Sequence, residues 1–494
     1  MRNGTLLAAV DLGSNSFRLE IGRHEHRQIQ RVEYLKETVR QGAGFDEARN
    51  LSQDAMQRGW DCLARFGERL AGFPREQVRA VATQTLREAR NRDAFLARAH
   101  HVLGFPIEVI SGREEARLIY QGVAHLLPQS DERRLVVDIG GRSTELILGT
   151  QFDAQLTESY RVGSVGWSMR YFPQGDFTPQ AFQQAQVAAE AVLEEAASSC
   201  GIHHWDVAYG ASGTIGAVAD ILGAAGHGPG ISRSGLQWLL EQLLAAGRAD
   251  RVRLDGLKED RRPVIGGGLS VLLAVFDLLG VERMEPAAGA LRHGLLYDLL
   301  DREQRDTDVR AATVQRLALS FAVDRAQAHR VGATATQLLR QLRGGHGDAA
   351  ALERHERELG WAATLHEIGS LISHSDAHKH GAYILDHADA PGFAQPELHR
   401  LSLLVLGHRG KLRKLEAELA DDLLVQQLLC LRLAVILCHA RRDPVLQGLR
   451  LAPRGRGFVL TVDPEWTRAF PQSAHLLRQE CIAWQKTPWE LSIA

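Results

Sequence analysis

Two glycine turns with carboxylates beside them are the features of this sequence that could do chemistry. Residues 6–21 read LLAAVDLGSNSFRLEI, and residues 135–149 read LVVDIGGRSTELILG. In these stretches Asp11 and Asp138 close an apolar run, and a turn of glycine with Ser, Thr or Asn leads into a second apolar run. Backbone N–H groups in such turns approach phosphate oxygens closely, and the short side chains add neutral donors. The pair predicts two phosphate-binding turns that face each other.

Three carboxylates near these turns suit a divalent cation. Asp11, Asp138 and Glu145 offer the hard oxygen ligands that Mg²⁺ takes together with water. Glu145 lies in the apolar run after the second turn and is predicted to point back toward Asp138. The alternative is that Asp138 only caps its turn through local hydrogen bonds.

A candidate general base lies in the stretch 109–121, VISGREEARLIYQ. Ser111 and Glu114 have capping-box spacing, which assigns Glu114 to the start of a helix. Glu115 then remains in the first helical turn. Either it is directed into a cleft to position an attacking water, or it interacts with the helix dipole.

Two further segments are candidates for phosphate binding. Arg87 falls in the first turn of a helix predicted over 86–103, where a cation is unfavourable unless it meets an anion. That anion is either a phosphate or the carboxylate of a surface ion pair. The turn GASGT at 210–214 is predicted to be a third phosphate- or nucleoside-facing loop at a helix N-terminus. The alternative for this loop is simple close packing.

The surrounding elements repeat in an order that places these residues around a cleft. Residues 6–125 alternate as three strands, helix, strand, helix, strand and helix, and a similar order begins at Arg134. Such a duplication of mixed sheet and helix creates a cleft between two like halves. The charged stretch Asp301–Asp308 is the best boundary, and predicted helices follow it, including single helices over 309–342 and 355–373. The predicted domains are residues 1–130, 131–302, 309–443 and 444–494.

Composition narrows the class of protein. A chain of 494 residues is long enough for about three domains. The net charge of −2 argues against a nucleic-acid partner or a polybasic membrane binder. Five cysteines without a Cys-x-x-Cys pair favour the reducing cytoplasm and no zinc site. The apolar stretch Val264–Val281 contains a glycine triplet and Asp277, which predicts a buried helix rather than an integral membrane segment.

The motifs together resemble a known family. DLGSNSFR, ATQTLREARN, ISGREEARLIY, VVDIGGRSTELILG, GASGTI and GALRHGLLYDLL occur in the order of the exopolyphosphatase/guanosine pentaphosphate phosphatase family, at roughly its spacing. That family belongs to the actin-like ATPase and sugar-kinase superfamily. The resemblance implies an α/β fold of two tandem ribonuclease-H-like domains, followed by an α-helical HD-like domain and a small C-terminal α+β segment.

The resemblance also implies an activity. The expected function is that of an Mg²⁺-dependent exopolyphosphatase that releases orthophosphate from inorganic polyphosphate, with a monovalent cation such as K⁺ as an additional candidate cofactor. The alternative is a guanosine pentaphosphate 5′-phosphohydrolase or a dual enzyme; a kinase or ATPase and a non-catalytic sensor are weaker alternatives. A homodimer is expected, with a long anion channel between the N-terminal halves and the helical domain.

Site roles transfer by motif from the family to this sequence. Glu115 becomes the base that orients water, and Asp138 and Glu145, with Asp11, become the metal-binding acids. The positions that correspond to phosphate contacts are Asn15, Ser16, Arg87, Gly141, Ser143 and Thr144.

Three departures from the family patterns stand out. Arg142 occupies the position of a third glycine in DIGGGSTE, where it either points away from the cleft or adds a cationic phosphate contact. His293 replaces the usual Glu of LREG. In the C-terminal half, the doublet His366-Glu367 stands where HD hydrolases have His-Asp, and the longer acid favours a structural, metal-free domain. The basic residues near that domain either guide a polyphosphate or form a solvated face: Arg409, Lys411, Arg413 and Lys414.

Overall fold

The protein contains two compact units that divide between Asp308 and Val309. The computed structural model describes residues 3–25, 28–128, 130–302, 308–343 and 349–494. Unit 1 contains two mixed α/β halves, and unit 2 is mainly helical with a small sheet.

The N-terminal half of unit 1 is a sheet in the order β3-β2-β1-β4-β5 with helices against it. Strand β1 is antiparallel to β2 and parallel to β4. The side chains of Leu7–Val10 are fully buried, as expected of a central strand covered on both faces. The elements are β1 Leu6–Leu12, β2 Ser16–Glu25, β3 Gln28–Thr38, α1 Gln53–Leu70, β4 Val78–Ala82, α2 Gln84–Glu88, α3 Arg92–Leu103, β5 Ile107–Val109 and α4 Gly112–Ala124.

The helix predicted over 86–103 is wrong, because the structure contains two helices there. Ala89 has an extended backbone at the end of α2. The side chain of Asn91 then bonds both backbone groups of Leu51, at 2.9 and 3.0 Å. This long-range anchor fixes the break, so Arg87 belongs to the short helix α2 and lies close to β5.

The C-terminal half of unit 1 repeats the arrangement, with a sheet in the order β10-β11-β9-β6-β7-β8. Strand β6 is antiparallel to β7 and parallel to β9, as β1 is to β2 and β4. The helical stretch from Pro179 to Cys200 is divided at Glu194–Glu195 into two helices. The elements are β6 Arg133–Ile139, β7 Thr144–Thr150, β8 Asp153–Tyr160, α5 Ser164–Tyr171, α6 Pro179–Leu193, α7 Ala196–Cys200, β9 Val207–Ala211, α8 Gly213–Ala224, β10 Ile231–Ser232, α9 Arg233–Ala246, α10 Ile265–Leu279, β11 Arg283–Pro286 and α11 Leu291–Arg302.

Helix α10 is the core helix of this half. Among the described residues, 262–279 is the one helical stretch long and apolar enough to cross a bilayer, and 67% of it is buried inside the protein. Burial of this kind is typical of the central helix of a globular domain.

Helices α4 and α11 pack against each other where the two halves meet. A Cβ on Gly294 would lie 1.8 Å from the carbonyl oxygen of Leu118, so the backbones are in direct contact. Buried charges join the same helices: Asp298 of α11 pairs with Arg117 of α4 at 2.5 Å and with Arg79 of β4. Burial by itself would raise the pKa of Asp298, but the guanidiniums of Arg79, Arg117 and Arg302 outweigh this desolvation and lower it.

Unit 2 is a helical bundle with a three-stranded sheet in the order β12-β13-β14. The single helix predicted over 309–342 is wrong: Ala322, with φ of 51°, takes a left-handed conformation that ends the first helix. The helix predicted over 355–373 begins earlier and ends at Leu365. The elements are α12 Val309–Ser320, α13 Arg325–Arg343, α14 Ala349–Leu365, α15 Ala377–His387, α16 Gln395–Gly407, α17 Asp422–Leu437, β12 Leu449–Arg454, β13 Gly457–Val462, α18 Pro464–Ala469, α19 Pro471–Trp484 and β14 Glu490–Ile493.

Histidines cluster inside unit 2. The rings of His366 and His408 lie 5.4 Å apart, and the Nδ1 of each contacts a backbone carbonyl at 2.6 Å. The carboxylate of Glu367 accepts a hydrogen bond from Arg441 at 2.6 Å. The acid of the doublet is thus engaged by a guanidinium, and HD-like character of this unit stays a prediction.

Candidate active site

The two glycine turns of unit 1 face each other. A Cβ on Gly141 would lie 3.0 Å from the Cβ of Ser14 and 3.6 Å from the backbone nitrogen of Asn15. The first turn is held by the 2.7 Å hydrogen bond between the hydroxyls of Thr85 and Ser14. A side chain at position 141 would require Ser14 to move by a few tenths of an ångström, so glycine suits this close approach.

A cavity of about 270 Å³ lies beside the two turns. Its lining includes the GASGT loop and the segment Ala287–Arg292, which leads into α11. Of the residues predicted from the sequence, those that line the cavity are Asp11, Asn15, Ser16, Glu115, Asp138, Gly141 and Ser143.

The other predicted residues lie behind this lining. Glu145 is buried opposite Asp138 in the register of β6 and β7, and accepts a hydrogen bond from Ser159 at 2.9 Å. The hydroxyl of Thr144 donates to the carbonyl of Val162 at 2.7 Å, which fixes the end of the second turn. These contacts make Glu145 and Thr144 supports of the turn in this arrangement.

Arg87 meets an anion within the protein. Its Nη1 donates to the Glu115 carboxylate at 2.8 Å and to the carbonyl of Ile110 at 2.9 Å. The other side of the guanidinium donates to Gln84 at 3.0 and 2.7 Å. The sequence predicted either a phosphate or a carboxylate as the partner of Arg87. The structure shows a carboxylate, and it belongs to Glu115, the candidate base.

Glu115 is directed into the cavity by the start of α4. Ser111 caps this helix, since its hydroxyl accepts a hydrogen bond from the Glu114 amide at 3.1 Å. The Glu114 carboxylate, predicted to complete a capping box, instead accepts two hydrogen bonds of 2.8 Å from Arg117. Glu114 therefore joins the charged cluster between α4 and α11, and Glu115 remains on the cavity side.

Burial raises the pKa of three carboxylates in this site: Glu115, Asp138 and Glu145. The pKa of Asp138 is raised to about 7 by burial and by Glu115, against the opposing charge of Arg18. Burial also raises the pKa of Glu115, although Arg87 opposes the shift. The pKa of Glu145 is raised well above its usual range by burial, Glu115 and Asp138. This group of acids holds more negative charge than its surroundings neutralise.

The donor set fits a divalent cation. A cation beside Asp138 would stabilise its ionised form and so relieve the repulsion among these acids. In the part of the chain that the structure describes, no three His, Cys, Asp or Glu side chains group closely enough to hold a metal ion by themselves. Mg²⁺ would therefore complete its coordination with phosphate oxygens and water, as it commonly does.

Four cations that line the cavity were not predicted from the sequence. We call them the basic wall: Arg18, Lys36, Arg261 and Arg292. Arg18 pairs with Asp11 at 2.9 Å, directly opposite it in the β1–β2 register. A hairpin pairing of this kind is readable from the sequence, whereas the other three approach the cavity only through tertiary packing.

Arg261 is the most buried member of the basic wall. The residue is 9% exposed, and the carboxylate of Asp260 lies 3.9 Å from its guanidinium. Burial and the charge of Arg18 lower its pKa. A Cβ on Gly213 would lie 2.1 Å from its Nη2, so the glycine admits the guanidinium to the cavity. Ser212 beside it has φ of 104°, a strained backbone of the kind found at functional sites.

The two departures that lie in unit 1, Arg142 and His293, take defined positions. Arg142 points away from the cavity and pairs with Glu88 at 2.9 Å. His293 lies beside Glu20 at 3.3 Å, and its Nδ1 accepts a hydrogen bond from the Ala290 amide at 3.0 Å. Burial would raise the pKa of Glu20, but His293 and Arg292 lower it to about 2. His293 therefore supports the carboxylate that orients Arg292 of the basic wall.

Comparisons with known proteins agree with this geometry. The model of the Ppx/GppA phosphatase family matches residues 20–303, and the model of domain III of Ppx/GppA phosphatases matches residues 309–481. Guanosine-5′-triphosphate,3′-diphosphate pyrophosphatase of Vibrio cholerae is 40% identical over 493 residues, which cover 99% of this chain and 98% of the relative. The name of this relative agrees with the alternative predicted from the sequence, a guanosine pentaphosphate 5′-phosphohydrolase, rather than with the first prediction, an exopolyphosphatase.

Solved structures show the same fold. An exopolyphosphatase from Cytophaga hutchinsonii matches with a TM-score of 0.54 and 24% identity, covering 60% of this chain and 98% of its own. The PPX-GPPA enzyme of Aquifex aeolicus matches with a TM-score of 0.51 and 24% identity, covering 59% and 99%. These matches, with the sheets described above, confirm the predicted mixed α/β fold. The chain belongs to the Ppx/GppA phosphatase family, whose members hydrolyse phosphoanhydride bonds.

Proposed function

We propose that the protein hydrolyses the terminal 5′-phosphoanhydride bond of guanosine pentaphosphate, the 5′-triphosphate,3′-diphosphate. The observation that carries this choice is the basic wall. Its members Arg261 and Arg292 lie in the same cavity as the glycine turns but belong to other segments, so one phosphate group can meet the turns while a second meets these guanidiniums. Arg261 in particular is a buried cation that would gain from a phosphate partner. The Vibrio cholerae relative, named for this substrate, supports the proposal.

In the proposed reaction, the glycine turns hold the terminal phosphates through backbone N–H groups and the side chains of Asn15, Ser16 and Ser143. Glu115 accepts a proton from water as the water oxygen bonds to the terminal phosphorus. The bond from that phosphorus to the bridging oxygen breaks, and the β-phosphate leaves with the electron pair. A raised pKa makes Glu115 a stronger base than an exposed carboxylate, which suits general-base chemistry near neutral pH.

Asp11 and Asp138, which line the cavity, are the residues that would hold Mg²⁺ in this site, and Glu145 behind them would add negative charge. When bound, the cation supplies neutralisation of charge on the phosphate oxygens. The glycine turns and the basic wall position the substrate. Phosphoryl transfer needs little covalent help from the protein, so the main task of these residues is to align the phosphorus with the attacking water.

Inorganic polyphosphate is the second candidate substrate. Among the described residues that line the cavity, Tyr34 is the one aromatic ring, and the other lining is mainly small donors, acids and cations. A lining of this kind also suits a chain of phosphates with no base to recognise. The two candidates differ in what the basic wall contacts, so they respond differently to changes there.

Phosphate release from guanosine pentaphosphate and from polyphosphates of several lengths, with and without Mg²⁺, tests the proposal. We expect release from guanosine pentaphosphate with a higher kcat/KM, and a loss of about 10²- to 10⁴-fold in kcat for Glu115→Gln on either substrate. A variant that keeps full activity would exclude Glu115 as the base. A higher kcat/KM on polyphosphate would establish the second candidate.

The wall is tested separately with Arg261→Met. We expect KM for guanosine pentaphosphate to rise by about tenfold, the scale of one lost hydrogen bond to a charged group. Arg251→Met, an exposed arginine in the same half, is the matched control and should leave KM unchanged. Equal effects of Arg261→Met on both substrates would contradict a role in nucleotide recognition.

A further inference from the structure

Arg142 connects the second glycine turn to the opposite half of unit 1. Its Nη2 and Nε donate to Glu88 at 2.9 and 3.2 Å, and its Nη1 donates to the carbonyl of Gly42 at 3.0 Å. The guanidinium also lies over the ring of Phe45, 4.8 Å from its centroid. All three partners belong to the N-terminal half. A single side chain thus bridges the halves beside the point where the two turns meet.

A series of hydrogen bonds within the N-terminal half connects Glu88 to the candidate base, Glu115. The other carboxylate oxygen of Glu88 accepts a hydrogen bond from the Gln84 amide at 2.6 Å. The Gln84 carbonyl accepts from Arg87 at 2.7 and 3.0 Å, and Arg87 donates to Glu115 at 2.8 Å. We call this series the relay: Arg142, Glu88, Gln84, Arg87 and Glu115.

The relay has a fixed polarity. The Gln84 amide lies between a carboxylate and a guanidinium, so its nitrogen must face Glu88 and its oxygen must face Arg87. Its members are shielded from water: side-chain exposure is 23% for Arg142, 9% for Glu88, 12% for Arg87 and 10% for Glu115. Charge-assisted hydrogen bonds in such an environment hold geometry more firmly than exposed ones.

We propose that Arg142 is a positioning residue for Glu115, acting through the relay when the two glycine turns are together. The inference rests on the role proposed for Glu115 in hydrolysis. Water must be aligned with the phosphorus to within a fraction of an ångström, and the relay makes the direction of the Glu115 carboxylate depend on a contact from the opposite half. The glycine of the family motif has no side chain for this contact, so the link is a property of this sequence.

Steady-state kinetics of Arg142→Met with guanosine pentaphosphate tests the proposal. Methionine keeps the apolar stem but has no donor. We expect kcat to fall about tenfold with KM within about twofold of the wild type, because alignment rather than binding is lost. Arg142→Lys, which restores one charged donor, should recover part of kcat. Arg133→Met is the matched control: this arginine, at the start of the strand β6 that precedes the turn, pairs with Asp206 at the surface and should leave kcat unchanged.

A second variant separates the relay from a local effect of Arg142. Gln84→Leu breaks the series while leaving Arg142, Arg87 and Glu115 in place. If the residues act as one unit, kcat of the double variant Arg142→Met/Gln84→Leu is no lower than kcat of the more impaired single variant. Losses that multiply in the double variant overturn the relay. A raised KM with unchanged kcat overturns it too, since Arg142 would then bind substrate directly.

Hydrogen exchange gives a readout that needs no activity. In Arg142→Met we expect faster exchange at the start of α4, residues 112–115, with no change in Arg133→Met. Unchanged exchange there overturns the relay even if the wild type hydrolyses the nucleotide. A wild type that releases no phosphate from either substrate contradicts the proposed function instead, and exchange still decides whether Arg142 orders Glu115.

Discussion

Replacement of Gly294 by alanine should move the helix that carries Glu115. The added Cβ would lie 1.8 Å from the Leu118 carbonyl oxygen, and real Cβ atoms essentially never approach a neighbour below 3.0 Å. The difference of 1.2 Å is the least by which the two backbones must separate. The obstacle is backbone of α4, which cannot rotate aside as a side chain can, so the displacement passes to the whole helix.

The size of the effect follows from that displacement. A misplacement of about 1 Å in a catalytic group can cost about 10²-fold in rate, so we expect kcat of Gly294→Ala to fall by about that factor. Overpacking at the same contact should lower the free energy of unfolding by about 1–3 kcal/mol. KM should change less than kcat, because the glycine turns and three members of the basic wall, Arg18, Lys36 and Arg261, lie on other segments.

Phosphate release gives kcat and KM, and denaturant unfolding gives the free energy of unfolding. The matched control is Gly223→Ala in α8, where an added Cβ meets no atom within 4 Å. Alanine should stabilise that helix by up to about 1 kcal/mol and leave kcat unchanged. A folded Gly294→Ala protein with wild-type kcat would refute the coupling between the α4–α11 contact and the position of Glu115.

Two further predictions concern the carboxylates of the site and the core of unit 2. Because Asp138 has a pKa of about 7, it is protonated below that pH and must lose a proton to bind a cation. The Mg²⁺ concentration for half-maximal phosphate release should therefore fall as pH rises from about 6 to about 8; a constant concentration would contradict the assignment. Arg432→Met leaves Glu480, its partner at 2.5 Å, buried without its cation, and should lower the free energy of unfolding by about 3–5 kcal/mol. Denaturant unfolding tests this, and a double variant with Glu480→Leu should recover most of the loss.

The sequence predicted the turns well because their signals are local. Strand β1, Leu6–Leu12, covers the apolar run before the first turn, and Glu145 lies opposite Asp138 as predicted. An apolar run, a carboxylate and a glycine turn lie within a few residues of one another, so propensity and pattern agree. Glu115 could be separated from Glu114 in the same way, because capping chemistry acts over three residues.

The errors and omissions arise from contacts between distant residues. The break between α2 and α3 depends on Asn91, whose partner Leu51 is 40 residues earlier. The direction of Arg142 depends on Glu88 and Gly42, 54 and 100 residues away. Arg261 enters the cavity only because Gly213, on another loop, leaves room for it. No local pattern encodes these contacts, so the position of Arg261 in the basic wall could not be predicted.

The buried charge of Asp298 also sets an order of events during synthesis. Its partners Arg79 and Arg117 precede it by 219 and 181 residues. While the ribosome is making the C-terminal half, α4 has neither this carboxylate nor the backbone of α11 against it. Contacts across such sequence distances form late, because a long loop must first be closed. The newly made N-terminal half therefore contains the candidate base without its final support, and a competent site arises only after α11 has left the ribosome.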